Sequence, residues 1–144
     1  MVATPASPSP SPTPLPKKLG IKPGHRVAVL HAPEGFRTTL EPLPEDVELF
    51  DALDAVDALD IVLWFGTERA ALERIVKDVR GVLEQNGGLW IGWPKRASGI
   101  PTEVTDDIVR DVALPTGLVD NKICAIDADW SGIRLVVRRE LRTR

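Results

Sequence analysis

The chain has a single cysteine, Cys124, and two histidines, His25 and His31, among 144 residues. One thiol cannot form an internal disulfide, and no cysteine pair stands at zinc-binding spacing. With His25 placed in an opening turn, a histidine-rich metal site is excluded as well, so no metal is expected. Long apolar stretches are also missing: the longest run, Ile61 to Phe65, is far too short to cross a bilayer. The formal charge is only −3, which gives no global case for nucleic acid, since a phosphate backbone calls for a basic surface. The first residues carry neither a charged n-region nor an apolar h-region, so no signal peptide is read and a reducing cytoplasm is the expected compartment. A Gly-x-Ser-x-Gly nucleophile elbow and a Gly-x-x-x-x-Gly-Lys-Ser phosphate loop are absent too.

What is present is ordinary globular material, 43% apolar and 27% charged, behind a biased start. Pro5, Pro8, Pro10, Pro12, Pro14 and Pro16 alternate with small residues. Proline removes backbone donors and the stretch has almost no apolar surface to offset the entropy of ordering. Residues 1–16 are therefore expected to be an extended tail contributing nothing to stability, ahead of one domain at 17–141. Cys124, on an expected strand with no histidine near it in sequence, reads as a small packed residue.

The near-continuous apolar runs 26–31 and 61–65 predict strands buried on both faces, as in a parallel sheet. Further strands are expected at 47–50 and 89–93, with a short helical piece at 36–40. Thr67 is expected to cap a helix whose apolar face runs through Leu72, Ile75, Val76, Val79, Val82 and Leu83. Asn86-Gly87-Gly88 is expected to end that helix through a left-handed residue. Thr105-Asp106-Asp107 starts another helix with Ile108, Val109 and Val112 inward, ended by Pro115 and Gly117. The chain closes with a hairpin, 119–126 and 133–138. Alternating strands and helices predict an α/β domain of three layers, a Rossmann-like, mostly parallel sheet of six strands. Right-handed crossovers and the polar run Asp120-Asn121-Lys122, which suits an edge, give the spatial order 2-1-3-4-6-5.

Asp60-Ile-Val-Leu-Trp-Phe followed by a helix and Gln85-Asn-Gly-Gly-Leu-Trp-Ile resembles the central part of Rossmann-like methyltransferases. More narrowly, Lys18-Leu-Gly-Ile-Lys-Pro-Gly, Ala32-Pro-Glu-Gly-Phe, Trp93-Pro-Lys-Arg-Ala-Ser-Gly and Leu114-Pro-Thr-Gly-Leu-Val-Asp resemble a bacterial family of unknown function. The second resemblance implies no activity. The first implies a methyltransferase-like fold, with a carboxylate after the second strand, here Asp51, to hold a ribose. The glycine-rich loop those enzymes carry after the first strand is replaced here by His31-Ala32-Pro33-Glu34-Gly35, so S-adenosylmethionine is not expected as a cofactor.

In open α/β sheets ligands sit beyond the carboxyl ends of the parallel strands. That rule gathers His31, Glu34, Gly35, Thr67, Trp93, Lys95, Arg96 and Ser98 as candidate binding residues. Lys95 and Arg96 supply fixed positive charge, Ser98 a donor and Trp93 a planar face, a set suited to a small anion. His31 with Glu34 has the make-up of a general base and its orienting carboxylate, or of a strand-terminal histidine that satisfies backbone groups. Two readings stand: a non-catalytic module for a small anionic ligand or protein partner, and a small transferase using His31, Glu34 and Lys95. Eight acidic residues and no basic one lie between Glu41 and Asp60, and Arg138, Arg139, Arg142 and Arg144 make a basic end. The first reads as a solvated edge and the second as too sparse for nucleic acid. Trp130, in the hairpin loop, is either an exposed contact residue or folded back on the hairpin.

Overall fold

A computed structural model describes residues 14–53 and 58–142. Ten regular elements follow one another. They are α1 (Leu15–Lys18), β1 (Arg26–Leu30), α2 (Phe36–Thr39), β2 (Glu48–Phe50), β3 (Leu59–Phe65), α3 (Arg69–Arg80), β4 (Leu83–Pro94), α4 (Asp106–Ala113), β5 (Leu118–Ala125) and β6 (Trp130–Val137). The strands form one sheet in the order β2-β1-β3-β4-β6-β5, the order the sequence predicts. β2, β1, β3 and β4 are parallel, and β6 runs antiparallel to both its neighbours. Among the described residues, no helix is long and apolar enough to cross a membrane.

The two faces of the sheet are covered unequally. On one side α3 and α4 pack Leu72, Val76, Val79 and Val109 against Val62, Leu89, Ile91, Leu135 and Val137. The other side holds Leu19, Ile21, Val27, Val29, Phe36, Ile61, Leu63, Phe65 and Trp90, and the helices over it among the described residues are the single turns α1 and α2. Trp90 is fully buried there, and its indole N–H donates to the Leu19 carbonyl at 2.9 Å. That bond ties the segment after α1 to the middle of the sheet and leaves no indole donor unsatisfied.

Four expectations are corrected. Residues 1–13 lie outside the described residues, but Leu15 and Pro16, assigned to the tail, are in α1. Pro16 is buried and its carbonyl accepts from Ile21 N at 2.9 Å. Proline is compatible with this first turn, where its missing donor would have no intrahelical partner. Thr67 does not cap α3. Its carbonyl instead receives Glu103 N at 2.8 Å, and the Glu103 carboxylate returns to accept from Arg69 N at 2.9 Å. The cap thus comes from the loop before α4, a long-range arrangement that local sequence does not encode.

Asn86-Gly87-Gly88 does not end α3 either, because the helix stops at Arg80 and β4 begins at Leu83. Val82 and Leu83 therefore fall beyond the helical face assigned to them. The glycines serve close approach within a sheet. Leu59 pairs with Leu83 but Ile61 with Gly88, so β4 bulges here, and a side chain on Gly87 would collide with the Asp60 carbonyl. The fourth correction is in extent: β2 is three residues rather than four, and β4 is twelve rather than five.

α4 matches its expectation: Thr105 Oγ1 accepts from Ile108 N at 3.3 Å, and Gly117 turns the chain with φ of 91°. β5 is an edge strand, as β2 is at the other side of the sheet. It carries its own bulge, for Asp120 pairs with Leu135 and Lys122 with Arg134. In a regular strand residues two apart share a face. The extra residue, Asn121, puts Asp120 on the α4 side, where it accepts from Arg110 Nε at 3.2 Å. Lys122 goes to the α1 side, where its ammonium donates to the Lys18 carbonyl at 3.0 Å.

Candidate functional site

At the carboxyl edge the predicted residues do not converge on one cleft. His31 ends β1 in the left-handed region, with φ of 56°, and its side chain is exposed. Histidine is among the residues that tolerate this conformation, so His31 makes the turn that a glycine would otherwise make. Glu34 is exposed, Gly35 sits before α2 with φ of 81°, and no hydrogen bond joins His31 to Glu34 among the described residues. Trp93 and Arg96 do share a cavity, of about 530 Å³, with Thr102, Thr105 and Asp106. Lys95 is not among the residues lining it. Its amide donates to the Asp129 carbonyl at 2.7 Å, and its carbonyl accepts the Ser98 hydroxyl, also at 2.7 Å. Ser98 therefore spends its proton on the turn, and Thr67 spends its carbonyl on holding Glu103.

The space between the ends of β1, β3 and β4 on the α2 side is filled by aromatic rings. Phe36 meets Phe65 edge-on at 4.8 Å, and Phe65 meets Trp130 at 5.4 Å. Trp130 is thus folded back on the sheet rather than presented to a partner. Such edge-to-face contacts add about 0.5–1.5 kcal/mol each beyond area burial.

The opposite, amino edge holds a second cavity, of about 450 Å³, which sequence reasoning missed. Lys17, Lys18, Lys22, His25, Lys122 and Arg134 line it, with Asp60, Asn86 and Asn121 among the remaining groups. Five of these side chains carry fixed positive charge and one is a carboxylate. None of the five lies within ion-pairing distance of a carboxylate among the described residues, for every ion pair present lies elsewhere.

Local structure explains how these cations are held. Lys18 Nζ donates to the Ala125 carbonyl at 3.1 Å while Lys122 Nζ donates to the Lys18 carbonyl at 3.0 Å, a reciprocal clasp of α1 on β5. Each ammonium keeps two further donors. His25 Nδ1 accepts from Lys22 N at 3.1 Å, which leaves Nε2 as the donor of the neutral ring. Asp60 Oδ2 accepts from Arg26 N at 2.9 Å and so starts β1.

Arg134 lies across Gly88, where a built Cβ would come within 2.8 Å of the guanidinium carbon. Its Nε is buried and has no hydrogen-bond partner among the described residues. Burial, and then repulsion from Arg142, lower the Arg134 guanidinium from its ordinary value. Burial likewise pushes the Cys124 thiol up, against the opposing pull of Lys18 and Lys122. The signal for this cluster was in the sequence only as isolated lysines. The bulge at Asn121 and the pairing of Lys122 with Arg134 are what bring it together.

The sheet order and the closing antiparallel pair define a Rossmann-like fold of the methyltransferase type, and solved structures agree. Fibrillarin of Aeropyrum pernix, determined with natively bound S-adenosyl-L-methionine, aligns with a TM-score of 0.56 at 14% identity, over 86% of this chain and 69% of its own. An S-adenosylmethionine-dependent methyltransferase of Aquifex aeolicus gives 0.60 at 13%, over 84% and 87%. TrmN of Thermus thermophilus gives 0.58 at 11%, over 85% of this chain but 47% of TrmN. The family itself is set by sequence: residues 17–139 match the model of DUF3052, a protein family of unknown function, and the chain belongs to that family. No curated protein matches it in sequence.

Likeness at these identities shows the fold, so a methyl-donor site has to be judged on the residues themselves. The loop after β1 offers one glycine, at its far end, and Pro33 has no amide to donate. The following residue, Phe36, is turned inward and 2% exposed in the aromatic stack. Asp51 is exposed after β2, in the place of a ribose-binding carboxylate. A carboxylate without a close-approach loop does not make a cradle for S-adenosylmethionine, and the residues present do not fit that cofactor.

Proposed function

We propose that this domain is a non-catalytic Rossmann-like module that binds a small anionic ligand, and that it does so at the amino edge of its sheet. One observation carries the reading: five fixed cations surround a cavity of about 450 Å³ with a single carboxylate among them. Like charges gathered in one concavity repel, and fixed positive groups around a pocket of this size complement an anion. The absence of an aligned base, nucleophile and oxyanion-stabilising group among the carboxyl-edge residues supports a binding role over the alternative of a small transferase.

Thermal unfolding with inorganic phosphate and with sulfate tests the reading. A ligand at a hundred times its dissociation constant stabilises by about 2.7 kcal/mol. The expected result is a rise in Tm that Lys17→Gln with Lys22→Gln diminishes while leaving the ligand-free Tm unchanged. An unaltered rise in that double variant, or no rise with any anion, would overturn the assignment.

A further inference from the structure

Lys17 apart, the cations of the amino-edge cavity fall into two groups with uncharged and acidic groups between them. His25 immediately precedes β1, and Lys22 is tied to it through the Nδ1 bond. Lys122 and Arg134 stand directly opposite one another on β5 and β6, and Lys18 is clasped to β5 beside them. In the sheet, β3 and β4 lie between β1 and β6, and these strands supply Asp60 and Asn86 to the same cavity. Three strand spacings separate β1 from β6, a backbone distance of about 14 Å, which long side chains reaching inward shorten.

Each group has an electrostatic deficit of its own. Directly opposed like charges on neighbouring strands are destabilising, yet Lys122 faces Arg134 across the antiparallel pair. The bulge at Asn121 turns Lys122 onto that face, and Gly88 keeps the floor clear for the guanidinium. Arg134 Nε, meanwhile, is buried without a partner among the described residues. At the other end, among the described residues, Lys22 has no carboxylate within ion-pairing distance and His25 has its Nε2 free to donate.

We infer that the cavity takes a small polyhydroxylated molecule phosphorylated at both ends. One phosphate sits on Lys18, Lys122 and Arg134, the other sits on Lys22 and His25, and Asp60 and Asn86 receive the hydroxyls of the middle. The inference rests on the anion-binding reading above and adds the ligand class. Charge agrees with it: five cations less one carboxylate leave an excess of four, and each phosphate carries about −1.5 to −2 at neutral pH. A single phosphate leaves half of that excess unmatched. A contiguous diphosphate is too short to engage both groups and has no hydroxyls for Asp60, which would repel it. Apart from His25 no ring lines the cavity, so it offers no stacking platform for a nucleobase.

The test is calorimetric titration of the full chain, at one ionic strength, with fructose 1,6-bisphosphate, fructose 6-phosphate, pyrophosphate, inorganic phosphate and a short single-stranded oligonucleotide. Charge-assisted contacts of the kind each end provides make the bisphosphate at least about tenfold tighter than either single-phosphate probe. Lys22→Gln and Lys122→Gln, one at each end, are each expected to bring bisphosphate affinity down to that of fructose 6-phosphate with the ligand-free Tm unchanged. Equal affinity for inorganic phosphate and bisphosphate would overturn the two-ended ligand and leave the anion site standing. Tightest binding by pyrophosphate or by the oligonucleotide would overturn it in favour of a linear polyanion, and no binding by any probe would overturn both readings. Should Lys122→Gln lower the ligand-free Tm through its clasp on α1, Lys22→Gln decides alone.

Discussion

The two edges of the sheet are built on opposite principles. At the carboxyl edge, where open α/β sheets ordinarily bind, Phe36, Phe65 and Trp130 pack ring against ring on the α2 side, Ser98 is spent on its own turn, and the cavity beside Trp93 holds one fixed cation, Arg96. At the amino edge, among the described residues, the packing is thin, with one turn of helix overhead, and the side chains are cationic without an ion pair to a carboxylate. A fold fixes where strands end, but which end stays open is decided by the residues that follow each strand. Here a proline and an inward phenylalanine after β1 fill the α2 side of one end. A bulge and a glycine opened the other.

The contrast can be broken most severely at Trp90, whose indole underlies the thinly covered face. Trp90→Ala is expected to cost about 3–5 kcal/mol through the lost ring and the cavity left behind, read as a fall in the denaturation midpoint. Trp90→Phe keeps most of the volume and orphans the Leu19 carbonyl, for a loss of about 1–3 kcal/mol. Next in size is Gly88→Ala, which forces the Arg134 guanidinium from its place. It is expected to destabilise by about 1–3 kcal/mol and to remove anion binding, while a ligand response surviving in this variant would show that Arg134 takes no part.

Removing residues 1–16 rather than 1–13 sharpens the same comparison, because it deletes Leu15 and the buried Pro16 and the bond to Ile21. We expect a loss of about 1–2 kcal/mol and weaker anion binding, measured by paired chemical denaturation and titration. Lys95→Ala with Arg96→Ala, on the carboxyl edge, is expected to leave both Tm and the anion response unchanged.

The smallest effect belongs to Cys124. Since burial raises its thiol above the ordinary 9.0, the folded state holds the proton more tightly than the unfolded state does. The associated stability is full below that ordinary value and is lost as pH rises through the raised one. Cys124→Ser should flatten this alkaline decline, and native Cys124 should alkylate slowly at neutral pH.

The fold was legible because its signals are repetitive. Val27 to Leu30 and Ile61 to Phe65 are apolar at every position, and the polar run 120–122 marks an edge. Thr105 caps its helix from three residues away. The failures came where one segment answers to another far along the chain. Gly87-Gly88 reads as a helix end until Asp60 and Arg134 are seen against it, and nothing near Arg69 announces that Glu103 will cap it. The site suffered most, since charge repulsion and sheet register, not local motif, define it. Lys18, Lys122 and Arg134 are more than a hundred residues apart at the extremes and carry no spacing to recognise.

The seating of Arg134 on Gly88 couples these two positions sterically. A larger residue at 88 excludes the guanidinium, and a short residue at 134 leaves the glycine with only its cost in chain entropy. Members of the family are therefore expected to keep both or to exchange both. A sequence holding one without the other marks a lineage in which this edge has taken up different work.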